Sequence, residues 1–137
     1  MVEKVVAYIT REKNGNRELL VFKHSDYPDA GIQVPAGTVE PGELPEQALW
    51  REVSEETGHT GFTLARRLTT YEYRYPPTGE WSRRHVYHLT APTYLPGSWR
   101  HGEKFGTPDQ ITFDFYWAPL DSLPALSAGL GDHLHEI

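Results

Sequence analysis

The chain has 137 residues, a formal net charge of −6 and no cysteine. This length is enough to bury a hydrophobic core, so we expect one domain over residues 1–137. The lack of cysteine excludes disulfides, zinc–thiolate sites and cysteine nucleophiles, and the acidic balance disfavours a protein that wraps long nucleic acid, because such proteins carry a basic excess.

The N-terminal segment resembles neither a signal peptide nor a membrane anchor. Charges recur every few residues along it, whereas a signal peptide has a basic head followed by a long apolar run. No segment approaches the roughly 18 apolar residues of a transmembrane helix. We therefore expect a soluble, cytoplasmic protein without a membrane partner.

Strand patterns dominate the chain on both sides of a central helix. Apolar and β-branched runs predict strands over residues 2–10, 18–24, 32–34, 62–75, 81–90 and 111–118. Asn14-Gly15 predicts a hairpin turn between the first two strands, because both residues tolerate a positive φ. Pro35-Ala36-Gly37 is predicted to end the third strand.

A single long helix is predicted over residues 46–57, which contain good helix formers and no internal glycine or proline. Pro45 suits the first helical turn, where its missing N–H costs nothing, and Gly58 is a typical C-terminal stop. Residues 96–110 are predicted to be a polar loop, and residues 120–137 one or two short helices. Strand runs interrupted by one helix and closed by another predict an α/β fold of the α+β or layered α/β/α kind.

Three carboxylates share one side of the predicted helix. At about 100° per residue, Glu52, Glu55 and Glu56 fall within a stripe about 100° wide. The neighbouring face, predicted to pack in the core, carries Leu49, Trp50 and Val53. Carboxylates one turn apart repel unless cations neutralise them, and all-oxygen clusters suit Mg²⁺, with Mn²⁺ as a substitute. Because Mg²⁺ binds through a few carboxylates together with substrate phosphates, the stripe indicates a phosphate-bearing ligand; the alternative is a solvated acidic helix face.

Arg51 lies at the edge of this stripe. Its guanidinium can hold two carboxylates, and Glu43 at the helix entry is the candidate partner. We interpret Arg51 and Glu43 as a supporting brace that positions the metal-binding side chains.

The segment from Gly37 to His59 resembles the Nudix box. Its pattern is Gly37, five residues, Glu43, seven residues, Arg51-Glu52-Val53, one residue, Glu55-Glu56, one residue and Gly58-His59. All the fixed glycine and charged positions of the motif match, and the chance of this at one start site is on the order of one in 10⁸ from average residue usage. His59 departs from the motif, because the family usually has an aliphatic residue there; we expect a packed or half-exposed neutral imidazole rather than a ligand.

The resemblance implies a mixed sheet sandwiched between helices, with the box as a loop–helix–loop. It implies Mg²⁺-dependent hydrolysis of a nucleoside diphosphate linked to another moiety X, by attack of water at phosphorus. The implied catalytic set is Glu52, Glu56 and Arg51, with Glu52 or Glu56 as the general base. The implied metal ligands are Glu52, Glu55, Glu56 and a backbone carbonyl of Ala36 or Gly37. Many members recruit one further acid from outside the box, for which the candidates are Glu103, Asp109 and Asp114.

Candidates for substrate binding lie in the second half of the chain. Arg67 and Arg83 could contact phosphates, and Tyr75 could stack on a base. Exposed strand cations and cross-strand aromatic pairs without any ligand are also common. The expected partner is a small nucleotide-like substrate, and formation of a homodimer stays open.

Other functions remain as alternatives to hydrolysis. A nucleotide-sensing or regulatory module would keep the fold without turnover, but such modules usually lose the box carboxylates that this chain retains. The isopentenyl diphosphate isomerases share the fold, but their chemistry relies on a cysteine. Removal of RNA caps is disfavoured by the length and acidity of the chain.

Overall fold

A computed structural model describes residues 1–103 and 110–137, which form eight strands and one α-helix. The strands are β1 (Val2–Lys13), β2 (Asn16–His24), β3 (Ile32–Gln33), β4 (Ala36–Thr38), β5 (Thr63–Arg74), β6 (Trp81–Thr90), β7 (Ser98–Glu103) and β8 (Ile111–Pro119). The helix α1 spans Pro45–Thr57. Single 3₁₀ turns occupy Pro28–Ala30, Leu120–Ser122, Ser127–Gly129 and Leu134–Glu136.

The strands form one mixed sheet in the order β5-β6-β1-β2-β8-β7, with β4 paired to β1 and β3 paired to β2. β1 and β6 run parallel, and the other paired strands run antiparallel. This α+β arrangement confirms the predicted fold class. The pairing of β4 with β1 places Gly37 opposite Val5 and so brings the start of the box to the middle of the sheet.

The two faces of the sheet carry separate hydrophobic cores. Val5, Ala7 and Ile9 of β1 belong to the core that α1 covers. Val6 and Tyr8, which alternate with them, belong to the core that the C-terminal segment covers. Successive side chains of a strand point to opposite faces, so one strand supplies both cores.

The ends of α1 follow the predicted signals. Pro45 is its first residue, and the Leu44 N–H beside it donates to Gln47 Oε1 at 2.8 Å. Gly58 ends the helix with a φ of 77°, and its N–H bonds to the Ser54 carbonyl at 2.9 Å. A left-handed residue at this position favours glycine, because a Cβ atom would be strained there.

No helix among residues 1–103 and 110–137 combines the length and apolar character needed to cross a lipid bilayer.

The predicted loop over residues 96–110 is wrong in its first half, because Ser98–Glu103 forms β7. β7 is at the end of the sheet and pairs with β8, opposite Phe115 and its neighbours. A strand at a sheet edge needs no apolar alternation, so its polar sequence did not predict it. Trp99 anchors it by stacking on Phe115, with ring centroids 5.0 Å apart and planes 8° apart.

Two shorter segments also differ from the predicted elements. Ala36 and Gly37, predicted to end a strand, and Thr38, predicted to begin a loop, form β4 instead, since the Ala7 N–H donates to the Pro35 carbonyl at 2.8 Å and holds the chain extended along β1. The C-terminal layer consists of single 3₁₀ turns. It is anchored by the Tyr8 hydroxyl, which donates to the Leu130 carbonyl at 2.6 Å.

Candidate active site

The start of the Nudix box lies against β1 and faces α1. The carboxyl group of Glu52 occupies the space beside Gly37 that a Cβ atom would fill. Glycine at this position therefore allows a helix carboxylate to approach the backbone of β4 closely. The carbonyl groups of Ala36 and Gly37, predicted as further ligands, belong to this same stretch of backbone.

Glu56 is held beside β4 by a main-chain hydrogen bond. The Ala36 N–H donates to Glu56 Oε1 at 3.1 Å, and Glu56 is 7% exposed. The side chain of Glu52 is 14% exposed and that of Glu55 is 48% exposed. The carboxylate stripe is therefore not a solvated helix face, because two of its members face β4 and the third lies at the rim.

β7 adds a fourth carboxylate from outside the box. α1 packs against β7, and the charge of Glu103 interacts with those of Glu52, Glu55 and Glu56. Oε2 of Glu103 is buried and has no hydrogen-bond partner among the described residues. We refer to Glu52, Glu55, Glu56 and Glu103 as the carboxylate cluster.

Burial and mutual repulsion disfavour free negative charge in this cluster. Burial raises the pKa of Glu56 well above its ordinary value, and the charges of Glu52, Glu103 and Glu55 raise it further. Burial also raises the pKa of Glu103 to about 7, with Glu52 and Glu55 contributing. The pKa of Glu52 is raised by burial as well, although its hydrogen bond from Arg51 opposes the shift. A cation among these groups would stabilise their ionised forms.

Arg51 connects the cluster to the box loop. Its Nε and Nη2 donate to the two oxygens of Glu43 at 2.8 and 2.9 Å. Its Nη1 donates to Glu52 Oε1 at 2.8 Å and to Glu55 Oε2 at 3.3 Å, and Nη2 also reaches the Thr38 carbonyl at 2.9 Å. The hydrogen bonds from Arg51 lower the pKa of Glu43 to about 2. One guanidinium thus joins the loop, β4 and the helix, which is the geometry expected of a brace.

The donor set fits a hard divalent cation. Glu52 and Glu55 contact Arg51, and their charges interact with those of Glu56 and Glu103. One buried carboxylate oxygen, Oε2 of Glu103, lacks any partner in the described part of the chain. Because Gly37 has no side chain, the Glu52 carboxyl group lies close to the β4 backbone. Carboxylate and carbonyl oxygens are the ligands that Mg²⁺ and Mn²⁺ prefer.

The raised pKa of Glu103 predicts a pH-dependent stability in the metal-free protein. The folded-state pKa of about 7 lies above the ordinary value of 4.5, so the folded state binds this proton more tightly than the unfolded state. The stabilisation is therefore present at low pH and is lost as the pH rises through about 7. Glu103→Gln removes this dependence.

Thermal denaturation in EDTA measures the effect as a difference between the two proteins. We expect the melting temperature of Glu103→Gln, relative to wild type, to increase between pH about 5 and about 8. Saturating Mg²⁺ should reduce this difference, because a cation stabilises the ionised carboxylate of the wild type. A difference that stays constant with pH in EDTA would contradict the assignment of the shift to Glu103.

The other two acids proposed from outside the box are placed differently. Asp114 accepts a hydrogen bond from Arg100 Nε at 2.7 Å and another from the Ser25 hydroxyl at 2.9 Å. Both of its carboxylate oxygens therefore have partners that do not belong to the carboxylate cluster. Asp109 lies outside the described residues. Of the two candidates within the described residues, Glu103 is the one that the structure brings to the helix carboxylates.

The core face of α1 is rotated relative to the predicted one. Leu49 and Val53 are buried as expected, but Trp50 is 38% exposed, so its predicted place in the core is wrong. Ala48 and Glu56 are buried instead. The Ala36 N–H draws Glu56 towards β4, and this turns the carboxylate side of the helix inward and Trp50 outward.

The three candidates for substrate binding are dispersed. Arg67 donates to the Thr70 hydroxyl at 3.0 Å. Arg83 lies between two carboxylates, 3.6 Å from Glu72 and 3.8 Å from Glu3. Tyr75 is exposed and lines a cavity of about 500 Å³ that also includes Thr38 of β4. Tyr75 is therefore the candidate that shares a cavity with the end of the box strand.

His101 is a further residue of the site that sequence reasoning missed. Its Nε2 lies 2.9 Å from the Glu55 carbonyl oxygen, and its ring occupies the space that a side chain at Gly58 would need. This contact joins β7 to the end of α1. His101 lies two residues before Glu103 in the same strand. Histidine and glutamate at a two-residue spacing would have been the signal, because a strand places both on one face.

His59, where the box motif usually has an aliphatic residue, is packed as expected. Its ring meets the edge of Trp99, with centroids 4.9 Å apart and planes 90° apart. Burial lowers its pKa, and the nearby His101 adds to the shift, so the neutral imidazole is favoured.

Comparison with known proteins agrees with this fold. The NUDIX domain family model matches residues 2–135. The chain therefore belongs to the NUDIX family, whose hydrolases generally depend on a divalent metal.

Two sequence relatives are hydrolases of phosphorylated small molecules. The chain is 40% identical over 89 residues to diphosphoinositol polyphosphate phosphohydrolase 3-alpha of Homo sapiens, an alignment that covers 65% of this chain and 51% of the relative. It is 33% identical over 102 residues to 8-oxo-dGTP diphosphatase of Escherichia coli (strain K12), covering 72% of this chain and 69% of the relative. The chain thus spans about half the length of the human relative.

Among solved structures, the Ap4A hydrolase of C. elegans has the same fold. Its TM-score is 0.67 at 22% sequence identity, and the match covers 99% of this chain and 95% of that chain. At this identity the likeness concerns the fold alone.

Proposed function

We propose that this protein hydrolyses a phosphoanhydride bond in a small nucleotide-like substrate with the help of Mg²⁺, and that it acts in the cytoplasm. The observation that carries the proposal is the carboxylate cluster, in which Glu52 and Glu56 lie against β4 and Glu103 leaves one buried oxygen without a partner. Membership of the NUDIX family and the activities of the two sequence relatives support pyrophosphate-bond hydrolysis.

The ion would be held by carboxylates of α1 and β7 and by a backbone carbonyl of β4. The side-chain ligands in this proposal are Glu52, Glu55, Glu56 and Glu103, with the carbonyl of Ala36 or Gly37. When bound, Mg²⁺ neutralises phosphate oxygens and lowers the pKa of a bound water. Oxygen ligands from three different elements would hold the ion, and substrate would enter on the side where Glu55 is exposed.

The chain's own groups would assist the attack of water at phosphorus. The water oxygen forms a new bond to one phosphorus, the bridging P–O bond breaks, and Glu52 or Glu56 accepts the proton of the water. The products are a nucleoside monophosphate and the phosphorylated moiety X. Arg51 keeps Glu52 and Glu55 oriented during this step through its hydrogen bonds to both. The three dispersed candidates for substrate binding remain the proposed contacts to the rest of the substrate. They are Arg67, Arg83 and Tyr75.

A panel of substrates tests the activity. The purified protein is incubated with Mg²⁺ and nucleoside triphosphates, 8-oxo-dGTP, ADP-ribose, sugar nucleotides, dinucleoside polyphosphates or diphosphoinositol polyphosphates, and the products are separated and identified. We expect turnover of at least one of them, and loss of that turnover in EDTA. Absence of turnover on all of them would favour the alternative function, a nucleotide-sensing module.

A further inference from the structure

A buried guanidinium without an acidic partner lies on the sheet face opposite α1. Arg84 is 6% exposed, and its guanidinium carbon lies 3.8 Å from the centroid of the Tyr73 ring. Its Nη1 donates to the Tyr71 hydroxyl at 3.1 Å, whereas its Nε is buried and has no hydrogen-bond partner. Within residues 1–103 and 110–137, Arg84 makes no ion pair with a carboxylate. Burying an unpaired charge is unfavourable, so an anionic ligand would complete this environment.

Arg84 lines a cavity that is suited to such a ligand. The cavity of about 500 Å³ is lined by the cations Lys4 and Arg84, the acid Glu80, the aromatic residues Tyr73, Tyr75 and Trp81, and Thr38, among others. Trp81 is 51% exposed and Tyr75 is 42% exposed, so aromatic rings stand at the surface above two cationic side chains. Aromatic faces can stack on a base or another planar ring, while the cations can bind oxyanions.

The cavity includes Thr38 of the box strand β4, which belongs to a row of residues that crosses the sheet. Lys4 is paired with Thr38 of β4 on one side and with Arg84 of β6 on the other. Thr38 follows Gly37 directly, and its carbonyl accepts a hydrogen bond from Arg51. Since neighbouring strands lie about 4.8 Å apart, the backbone of Arg84 is two strand spacings, or roughly 10 Å, from the backbone of Thr38.

We propose that Arg84 and Lys4 form an oxyanion subsite in the cavity that Thr38 of the box strand also lines, and that this subsite binds a phosphate group of the substrate. The inference rests on the hydrolase function proposed above and deepens it. It assigns the substrate to phosphorylated molecules that carry a further phosphate beyond the scissile anhydride. Planar guanidinium groups bind phosphate through paired N–H donors, and the free Nε of Arg84 supplies one of them.

Binding of inorganic tripolyphosphate in EDTA tests the subsite without metal and without turnover. We expect isothermal titration calorimetry to show binding to wild type that Arg84→Gln weakens at least about tenfold, because a charge-assisted phosphate contact is lost. Lys4→Gln should weaken it in the same direction. Arg84→Lys should restore part of the affinity, since it keeps the charge and loses the planar donor geometry.

A matched control removes one positive charge elsewhere. Arg17→Gln changes an exposed arginine near the β1–β2 hairpin, at the opposite end of β1 from Lys4, and should bind tripolyphosphate as wild type does. Thermal denaturation checks that each variant is folded. If Arg84→Gln fails to fold, the comparison of Lys4→Gln with Arg17→Gln decides the question. Wild-type affinity in the folded Arg84 and Lys4 variants, or no binding to wild type, would overturn the subsite.

Kinetics separate this proposal from the proposed hydrolase function. On any substrate that the panel identifies, Arg84→Gln should raise KM and leave kcat close to wild type, because the subsite lies away from the reacting phosphorus. A protein that binds tripolyphosphate through Arg84 but turns over no substrate would contradict the hydrolase function and keep the subsite. Turnover by Arg84→Gln with an unchanged KM would contradict the subsite and support the hydrolase function.

Discussion

Replacing Glu56 with glutamine is expected to lower turnover at least about a hundredfold, because it removes a metal-binding or proton-accepting carboxylate while preserving the shape of the side chain. The substitution keeps an oxygen that can accept the hydrogen bond from the Ala36 N–H. Burial raises the pKa of Glu56 well above its ordinary value, so the folded protein gains nothing from the charge itself. The melting temperature should therefore stay close to that of wild type.

Steady-state kinetics at saturating Mg²⁺, on a substrate found in the panel, measure this effect. Glu46→Gln is the matched control, because Glu46 is an exposed residue in the first turn of the same helix. It should retain wild-type kinetics. Wild-type turnover in a folded Glu56→Gln variant would refute a role of Glu56 in metal binding or catalysis.

Gly37→Ala is expected to reduce metal affinity and activity on the order of 10–100-fold, because it displaces a ligand without removing it. A Cβ atom at this position would overlap the carboxyl group of Glu52. Gly37 is not among the glycines with positive φ, so its backbone accommodates alanine. The carboxyl group is the flexible end of a side chain and can move aside, which should leave the stability of the fold almost unchanged.

Activity titrated against Mg²⁺ concentration measures the displacement of Glu52. We expect Gly37→Ala to require more Mg²⁺ for half-maximal activity than wild type. Gly97→Ala is the control, because a Cβ atom there meets no heavy atom within 4 Å in the described part of the chain. An unchanged Mg²⁺ requirement in Gly37→Ala would mean that the position of the Glu52 carboxyl group does not matter for metal binding.

The helix and its charged pattern could be predicted because their determinants are local. Pro45 and Gly58 define the ends of α1 through backbone preferences that act within one turn. The close spacing of Glu52, Glu55 and Glu56 follows from helical geometry alone. The family assignment rests on the same segment, and the match over residues 2–135 confirms it.

The burial of individual side chains depended on the surrounding strands. Glu56 is buried and Trp50 exposed because β4 offers a main-chain N–H on one side of the helix, and helical periodicity carries no information about that group. β7 was missed because an edge strand with polar residues lacks the alternation by which strands are predicted. Its register places Glu103 beside the helix carboxylates.

The sequence by itself determined the class of this protein: a helix of known ends, a carboxylate stripe spaced for a hard cation and a motif that places the chain in its family. Only the tertiary structure decided which groups from other strands lie beside the helix carboxylates, namely the Ala36 N–H and Glu103. The physical reason is the range of the interactions. Helix ends and side-chain spacing are set by neighbours in the chain, whereas burial and unpaired charge are set by strand pairing between residues far apart in sequence.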